Sequence, residues 1–336
     1  MELFKKEKWI IDTDPGCDDL FAILYLLKRH DAEVLLVSIA HGNVKLEDVE
    51  KNTKRIYVMN ETTKPYPYTL RGTNEITENP KYADDYHFEG GLGNIKEINE
   101  LDITSIVFDK ILSPVKIVEL VKKYPNEINL LSIAPCTNIS VAFMLDPSIS
   151  KLFKSIFWMG GSLQSRGNVY PMTEFNFGFD PIAAQIMLKN FEKVVLVPWE
   201  PTEFISLSLV DLEKLKEEII SEKKNFNQNI YFYIHKIVEK FMLRGQEQLQ
   251  ICDLYAIIAA FNHQVVISFF IGEMSAIIDS NSAKGALKVE KIYKHDFKDF
   301  TDAFNNLSKL PKGSKIVVDQ LDRNIILNEL KLIFIK

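Results

Sequence analysis

Cysteine is scarce: the 336 residues hold only Cys17, Cys136 and Cys252, far apart and with no CxxC pair. An odd number of scattered thiols excludes a disulfide framework and fits a reducing, cytoplasmic setting. Long apolar runs are missing as well. The most apolar late stretch, Val265 to Ile278, is too short to cross a bilayer, contains Glu273, and reads as buried strands, so no membrane partner is expected. The opening MELFKKEKW shows no apolar segment after its lysines, and no secretory leader is expected. There is no excess of basic residues either. Lys and Arg total 40 against 46 Asp and Glu, a net charge of −6, which argues against a nucleic-acid partner. Repeats and low-complexity segments are absent. What is left is an ordinary soluble composition, 46% hydrophobic and 26% charged, on a chain long enough for a large core.

The first half alternates strand and helix signals. Trp9 to Asp12 and the apolar run Val34 to Ala40 read as strands, with Asp18 to Lys28 and Leu46 to Asn60 as helices. The pattern resumes with strand Ile128 to Ile133, helix Thr137 to Leu145, strand Ile156 to Met159, helix Pro181 to Lys189 and strand Val194 to Val197. Such alternation predicts an α/β fold: an open, mostly parallel, doubly wound sheet with helices on both faces. A long helix over Asn225 to Arg244 and a shorter one over Asp253 to Phe261 follow, then a strand at Lys315 to Val318 and a closing helix from about Asp322. Tyr66 to Asn94, rich in Pro, Gly, Asn and Asp, reads as a long loop of the kind that often forms a lid. No linker is visible, so residues 1–336 are expected to form one domain.

The most unusual local feature is DTDPGCDD, which puts Asp12, Asp14, Asp18 and Asp19 within eight positions on a strand-to-helix turn. In an open parallel sheet this is the ligand-binding edge. A helix N-terminus tolerates carboxylates but does not neutralise four of them. A divalent cation does, and hard oxygen donors suit calcium or magnesium. An EF-hand is excluded, because counting from Asp12 puts Cys17 where the loop needs Gly and Ile23 where it needs Glu. The other readings are a capped helix with solvated carboxylates and the DxD of haloacid-dehalogenase-type phosphatases, with Asp12 as nucleophile. Proline directly after Asp14 does not suit the latter.

Further segments appear in order along the chain: His41-Gly42-Asn43, the stretch from Ser113 to Pro147 containing Thr137-Asn138, WMGG at Trp158 to Gly161, Asn168, Glu174-Phe175-Asn176, and Cys252-Asp253. With DTDPGCDD, this ordered set resembles the inosine–uridine nucleoside hydrolase family. The resemblance implies cleavage of the N-glycosidic bond of ribonucleosides by water. It implies Ca2+ held by Asp14, Asp19, Asp253 and the main-chain carbonyl of Ile133. Asp18, Asn168, Glu174 and Asn176 are then expected on the ribose hydroxyls, Met159 in the pocket wall, Asn43 orienting the site, and Asp12 bonded to the ligand network. A homodimer or homotetramer is also implied. A bound cation acidifies water, and Asp14, touching both, is the expected general base.

The chain departs from the family at Cys252, where many members have a histidine credited with protonating the leaving base. A thiol is a poor general acid at neutral pH. His87, in HFEGGLGN, is similar in position to the family's lid histidine and is the alternative, while His235 and His263 read as ordinary helix histidines. Phe226, Tyr231, Phe232 and Tyr233 offer an aromatic stripe of which two rings at helical spacing could face the pocket and stack on a base, although most of the stripe is expected to be core. All three cysteines fall in motif segments, which leaves two readings: thiols around one pocket, sensitive to thiol reagents and protected by nucleoside, or buried inert thiols. Two rival readings remain: a calcium- and ribose-binding protein with little turnover, and the phosphatase.

Overall fold

The run EKWIIDT forms the central strand of a nine-stranded sheet in the computed structural model, which describes residues 5–62, 66–72, 82–163, 166–203, 205–280 and 282–336. In chain order the strands are β1 (Glu7–Thr13), β2 (Ala32–Ile39), β3 (Thr69–Arg71), β4 (Ile128–Ser132), β5 (Ser155–Met159), β6 (Val194–Val197), β7 (Ser206–Leu207), β8 (Leu249–Gln250), β9 (Val266–Ala276), β10 (Leu287–Tyr293) and β11 (Lys315–Leu321). The large sheet runs β10-β9-β11-β6-β5-β4-β1-β2-β3, and β7 pairs with β8 apart from it. Within the large sheet β9 pairs antiparallel with both β10 and β11 and the remaining pairings are parallel, while the separate β7–β8 pair is antiparallel. The expected mostly parallel, doubly wound architecture is therefore what the chain adopts.

Both faces of the sheet are buried, and side chains alternate between two cores with the two-residue period of a strand. Trp9, Ile11, Leu131, Phe157 and Met159 enter one core; Ile10, Leu130, Ile156 and Trp158 enter the other. The chain leaves β1 toward β2 and β3 on one side and later returns to β4, β5 and β6 on the other. The winding direction thus reverses between β1 and β4, and loops leaving their carboxyl ends diverge to leave a crevice.

Several expectations need correction. The Tyr66–Asn94 stretch is not all loop: it supplies edge strand β3 and a single helical turn, Asp84–His87, while residues 73–81 lie outside the described ones. The helix Leu209–Ser221, outside the expected elements, opens with a capping box in which Ser208 and Asp211 bond reciprocally. The long helix spans Gln228–Leu243 rather than Asn225 to Arg244, starting where Asn227 caps the Ile230 N–H. Val265 to Ile278 contributes one strand, β9, and its pairing partner β10 was not anticipated. Among the described residues, no helix is long and apolar enough to cross a membrane.

Candidate active site

Pro15 and Gly16 end β1 and turn the chain into helix Asp19–Lys28, which places Asp19 in a first helical turn. Its carboxylate accepts four bonds: from Thr13 Oγ1 (2.5 Å) and the Asp14 N–H (3.2 Å) on one oxygen, and from the Gly16 N–H (2.9 Å) and Asn43 Nδ2 (3.0 Å) on the other. Asn43, from the turn after β2, also donates its N–H to Asp14 Oδ2 at 2.7 Å and Nδ2 to the Asp14 carbonyl at 3.2 Å. Gly42 permits this approach, because a Cβ there would lie 1.9 Å from Asp14 Oδ2. Asp12 Oδ1 accepts from Ser38 Oγ (2.6 Å) and Asn138 Nδ2 (2.9 Å). Asn138, which in the sequence marks only a turn, thereby fixes the Asp12 carboxylate and the Ser38 hydroxyl behind the site. It starts helix Thr137–Leu145 after Cys136, whose left-handed φ of 47° makes the sharp turn out of β4.

The second aspartate source is far along the chain. Asp253 lies in the first turn of helix Cys252–Phe261, which packs against Asp19–Lys28. Two helix N-termini, each favourable to negative charge, therefore converge. Ligand oxygens of Asp18, Asp19 and Asp253 lie within 4.8 Å of one another. Asp14 is not in that triplet, although its charge bears on Asp253. The bonds that hold these carboxylates come from neutral donors. Burial, reinforced by the neighbouring carboxylates, pushes Asp18 up to about 8 and Asp14 and Asp253 well above the ordinary range. Burial likewise raises Asp12 to about 6, and raises Asp19 against the pull of its hydrogen bonds. Asp14 Oδ1 and Asp18 Oδ1 are buried with no hydrogen-bond partner among the described residues. Unpartnered buried oxygens are costly, and a hard divalent cation is the group that this donor set fits.

A cavity of about 350 Å³ opens beside the cluster, lined by Asp18, Asn43, His87, Ile133, Met159, Asn168, Glu174, Asn176, Cys252 and Asp253 among others. Most of the expected site residues thus meet in one place, while Asp12, Asp14 and Asp19 lie behind the lining. Glu174 caps the short helix Phe175–Phe179, accepting from the N–H groups of Asn176 (2.8 Å), Phe177 (3.2 Å) and Gly161 (2.8 Å). Burial still raises it to about 7. Asn176 Nδ2 donates to the carbonyls of Ile133 (3.4 Å) and Met159 (3.3 Å), so it borders the carbonyl expected to face a metal. Exposed Asn168 also borders the cavity. His87 Nδ1 accepts the Cys17 N–H at 3.1 Å, and burial, with Arg244 as a lesser cause, pushes the ring down to about 3.

The aromatic stripe of the long helix stays out of the cavity wall: Tyr231, with Phe226 and Tyr233 packed against the same cluster, belongs to the core as expected for most of the stripe, and Phe232 is exposed. The rings at the cavity are Tyr82, from the loop before Asp84–His87, and Tyr86, Phe175 and Trp199, from helical pieces of four or five residues, too short to carry a periodic signal. The cysteines do not ring one pocket either. Cys252 lines it, but Cys17 points at the Gly91 carbonyl (3.4 Å) and Cys136 at Ser132 Oγ (3.3 Å). All three thiols are buried and shifted well upward, chiefly by that burial, which disfavours reaction with thiol reagents.

Comparison with known proteins agrees with this geometry. The profile described as inosine-uridine preferring nucleoside hydrolase matches residues 9–323. Uridine nucleosidase 1 of Arabidopsis thaliana is 32% identical over 221 residues, 63% of this chain and 62% of that protein, so the chain spans under two thirds of that relative. The inosine-uridine preferring nucleoside hydrolase of Leishmania major is 28% identical over 240 residues, 69% of this chain and 73% of that protein. A solved plant nucleoside hydrolase, PpNRh1, superposes with a TM-score of 0.81 at 22% identity, covering 98% of this chain and 99% of that one, a likeness of fold.

Proposed function

Because the chain belongs to the inosine-uridine preferring nucleoside hydrolase family, we propose that it hydrolyses the N-glycosidic bond of ribonucleosides to ribose and free base. The observation that carries this reading is the buried carboxylate cluster, with oxygens of Asp18, Asp19 and Asp253 within 4.8 Å, opening onto a cavity shared with Glu174 and Asn176.

The residues proposed to hold Ca2+ are Asp14, Asp19 and Asp253 with the Ile133 carbonyl, and Asp18 borders the same set. Calcium bound there supplies charge that acidifies a water and fixes its position. Asp14 takes the proton of the attacking water: its Oδ2 is anchored by Asn43, and its Oδ1 has no other bond among the described residues. Asp18, Asn168, Glu174 and Asn176 bind the ribose hydroxyls. As the base leaves, the sugar gains oxocarbenium character, which the surrounding carboxylates favour. Water arriving opposite the base inverts the anomeric carbon. His87 assists departure as a neutral donor, since Nδ1 is occupied by the Cys17 N–H and the ring proton sits on Nε2. Cys252 stays a protonated, buried thiol bonded to Thr202 and does not act as the acid.

Ribose release from inosine, uridine, adenosine and guanosine, alongside their 2′-deoxy counterparts, tests the proposal. Ribonucleosides are expected to turn over and deoxynucleosides to be rejected by roughly four orders of magnitude, because buried polar groups would lose their partner. Phosphate release from a phosphoester without any ribose release would instead support the phosphatase, and nucleoside binding without turnover the binding protein.

A further inference from the structure

The segment Tyr82–Gly93 forms one wall of the cavity through Tyr82, Ala83, Asp85, Tyr86 and His87. Its inner side is tied to the aspartate turn by buried groups. The Cys17 thiol donates to the Gly91 carbonyl at 3.4 Å, and Asn52 Nδ2 bridges the carbonyls of Pro15 (3.0 Å) and Gly90 (2.7 Å). Gly91 is required there, with φ of 88° and room for a Cβ only 2.8 Å from Asn52 Nδ2.

Among the described residues the outer side is held mainly by the exposed Arg244, with Lys240 Nζ more distant over the same Phe88 ring at 5.8 Å. Arg244 Nη1 donates to the carbonyls of Asp85 and of Tyr86, the latter at 3.1 Å. The guanidinium carbon also lies 3.5 Å from the centre of the Phe88 ring. Phe241, three residues earlier, meets Tyr86 and Phe88 edge-on at 5.3 and 5.2 Å. The position of Arg244 is itself fixed. The long helix ends in a Schellman motif, with Gly245 N–H on the Met242 carbonyl (2.9 Å) and Gln246 N–H on the Phe241 carbonyl (3.2 Å).

The chemistry of this contact is specific. Asp84–His87 is a single turn, so its carbonyls have no helical partner beyond it, and its end welcomes a cation. A planar guanidinium can satisfy two successive carbonyls while stacking on a ring, and a lysine ammonium cannot do both. Arg244 is not among the residues lining the cavity. We propose that Arg244 is a positioning residue: by clasping the Asp85–Phe88 backbone it holds the Tyr86–His87 wall in its binding conformation and thereby sets nucleoside affinity without touching the nucleoside. This rests on the hydrolase reading for the identity of the ligand only.

The test uses the full chain with Arg244→Ala and Arg244→Lys. Amide exchange is read at Tyr86, His87, Gly91 and Gly93, whose N–H groups bond within the segment. KM and kcat are read with inosine and uridine. Losing the two charge-assisted bonds and the exposed cation–π contact in Arg244→Ala should speed exchange at these amides roughly tenfold and raise KM by about the same factor. Exchange in the central sheet should not change, kcat should fall by no more than KM rises because the loosened wall also carries His87, and Arg244→Lys should fall between alanine and wild type. Unchanged exchange in the segment overturns the proposal. So does faster exchange throughout the sheet, or a loss in kcat with KM unaltered. Were the wild-type protein to turn over no nucleoside, the hydrolase reading would fail while the exchange data still decided the clasp.

Discussion

Replacing Asp14 with asparagine removes one charge from the aspartate cluster while leaving its shape nearly intact. The Asp14 side chain is fully buried; Oδ2 accepts the Asn43 N–H at 2.7 Å, and Oδ1 has no partner among the described residues. Asparagine can keep the first bond through its carbonyl oxygen and turn its amide toward the neighbouring carboxylates. In chelator-treated protein, where nothing offsets the crowding, the variant should therefore be more stable than wild type. Relieving one unsatisfied buried charge is worth roughly 1–3 kcal/mol, or about 1–4 °C in Tm at this chain length. Turnover should move the other way, because losing the general base removes about 100- to 10,000-fold in kcat. Thermal unfolding with and without calcium, together with ribose release, reads both effects. A variant that is less stable than wild type when stripped, or that keeps most of its turnover, would refute the assignment of Asp14 as a crowded, cation-facing base.

Gly42→Ala should mimic Asp14→Asn, since the new Cβ would sit 1.9 Å from Asp14 Oδ2 and 3.0 Å from Pro135 Cδ and so displace the carboxylate. Misplacement on that scale costs about 100-fold in kcat, and ribose release at wild-type rate would contradict it. Stripped protein should also lose stability as pH rises. Glu174 is raised by burial from 4.5 to about 7, so its contribution is complete below about 4.5 and fades as pH passes about 7. The size is about 3 kcal/mol relative to Glu174→Gln, which lacks the titration, and a pH-independent difference between the two unfolding curves would rule it out.

The sheet was legible because its core strands are short apolar runs separated by helix-period segments, as in IIDT and VVLV, and both faces are covered. The acidic cluster was legible because four carboxylates in one turn have few physical explanations. Asp253 was reachable only through the ordered motifs, since nothing in its own surroundings in sequence distinguishes it from an ordinary first-turn acid. The aromatic wall was not legible. Trp199 and Tyr86 reach the cavity from short turns after β6 and before the Phe88 bend, where no periodicity marks the direction of a side chain. The stripe on the long helix has a real period, and it is a core period: Tyr231 packs on Phe334 and bonds Glu213, which leaves no ring of it for a base. Cysteine placement was not legible, because adjacency to a motif in sequence does not fix which face of the turn a thiol takes.

The central claim is that one divalent cation holds carboxylates from both ends of the chain around a ribose site. Calorimetric titration of chelator-stripped protein with calcium, followed by ribose release on the same samples, tests it most directly. One ion should bind per chain, activity should return in proportion to occupancy, and Asp253→Asn should lose both. Full turnover in stripped protein, or no calcium bound by the wild type, would contradict it.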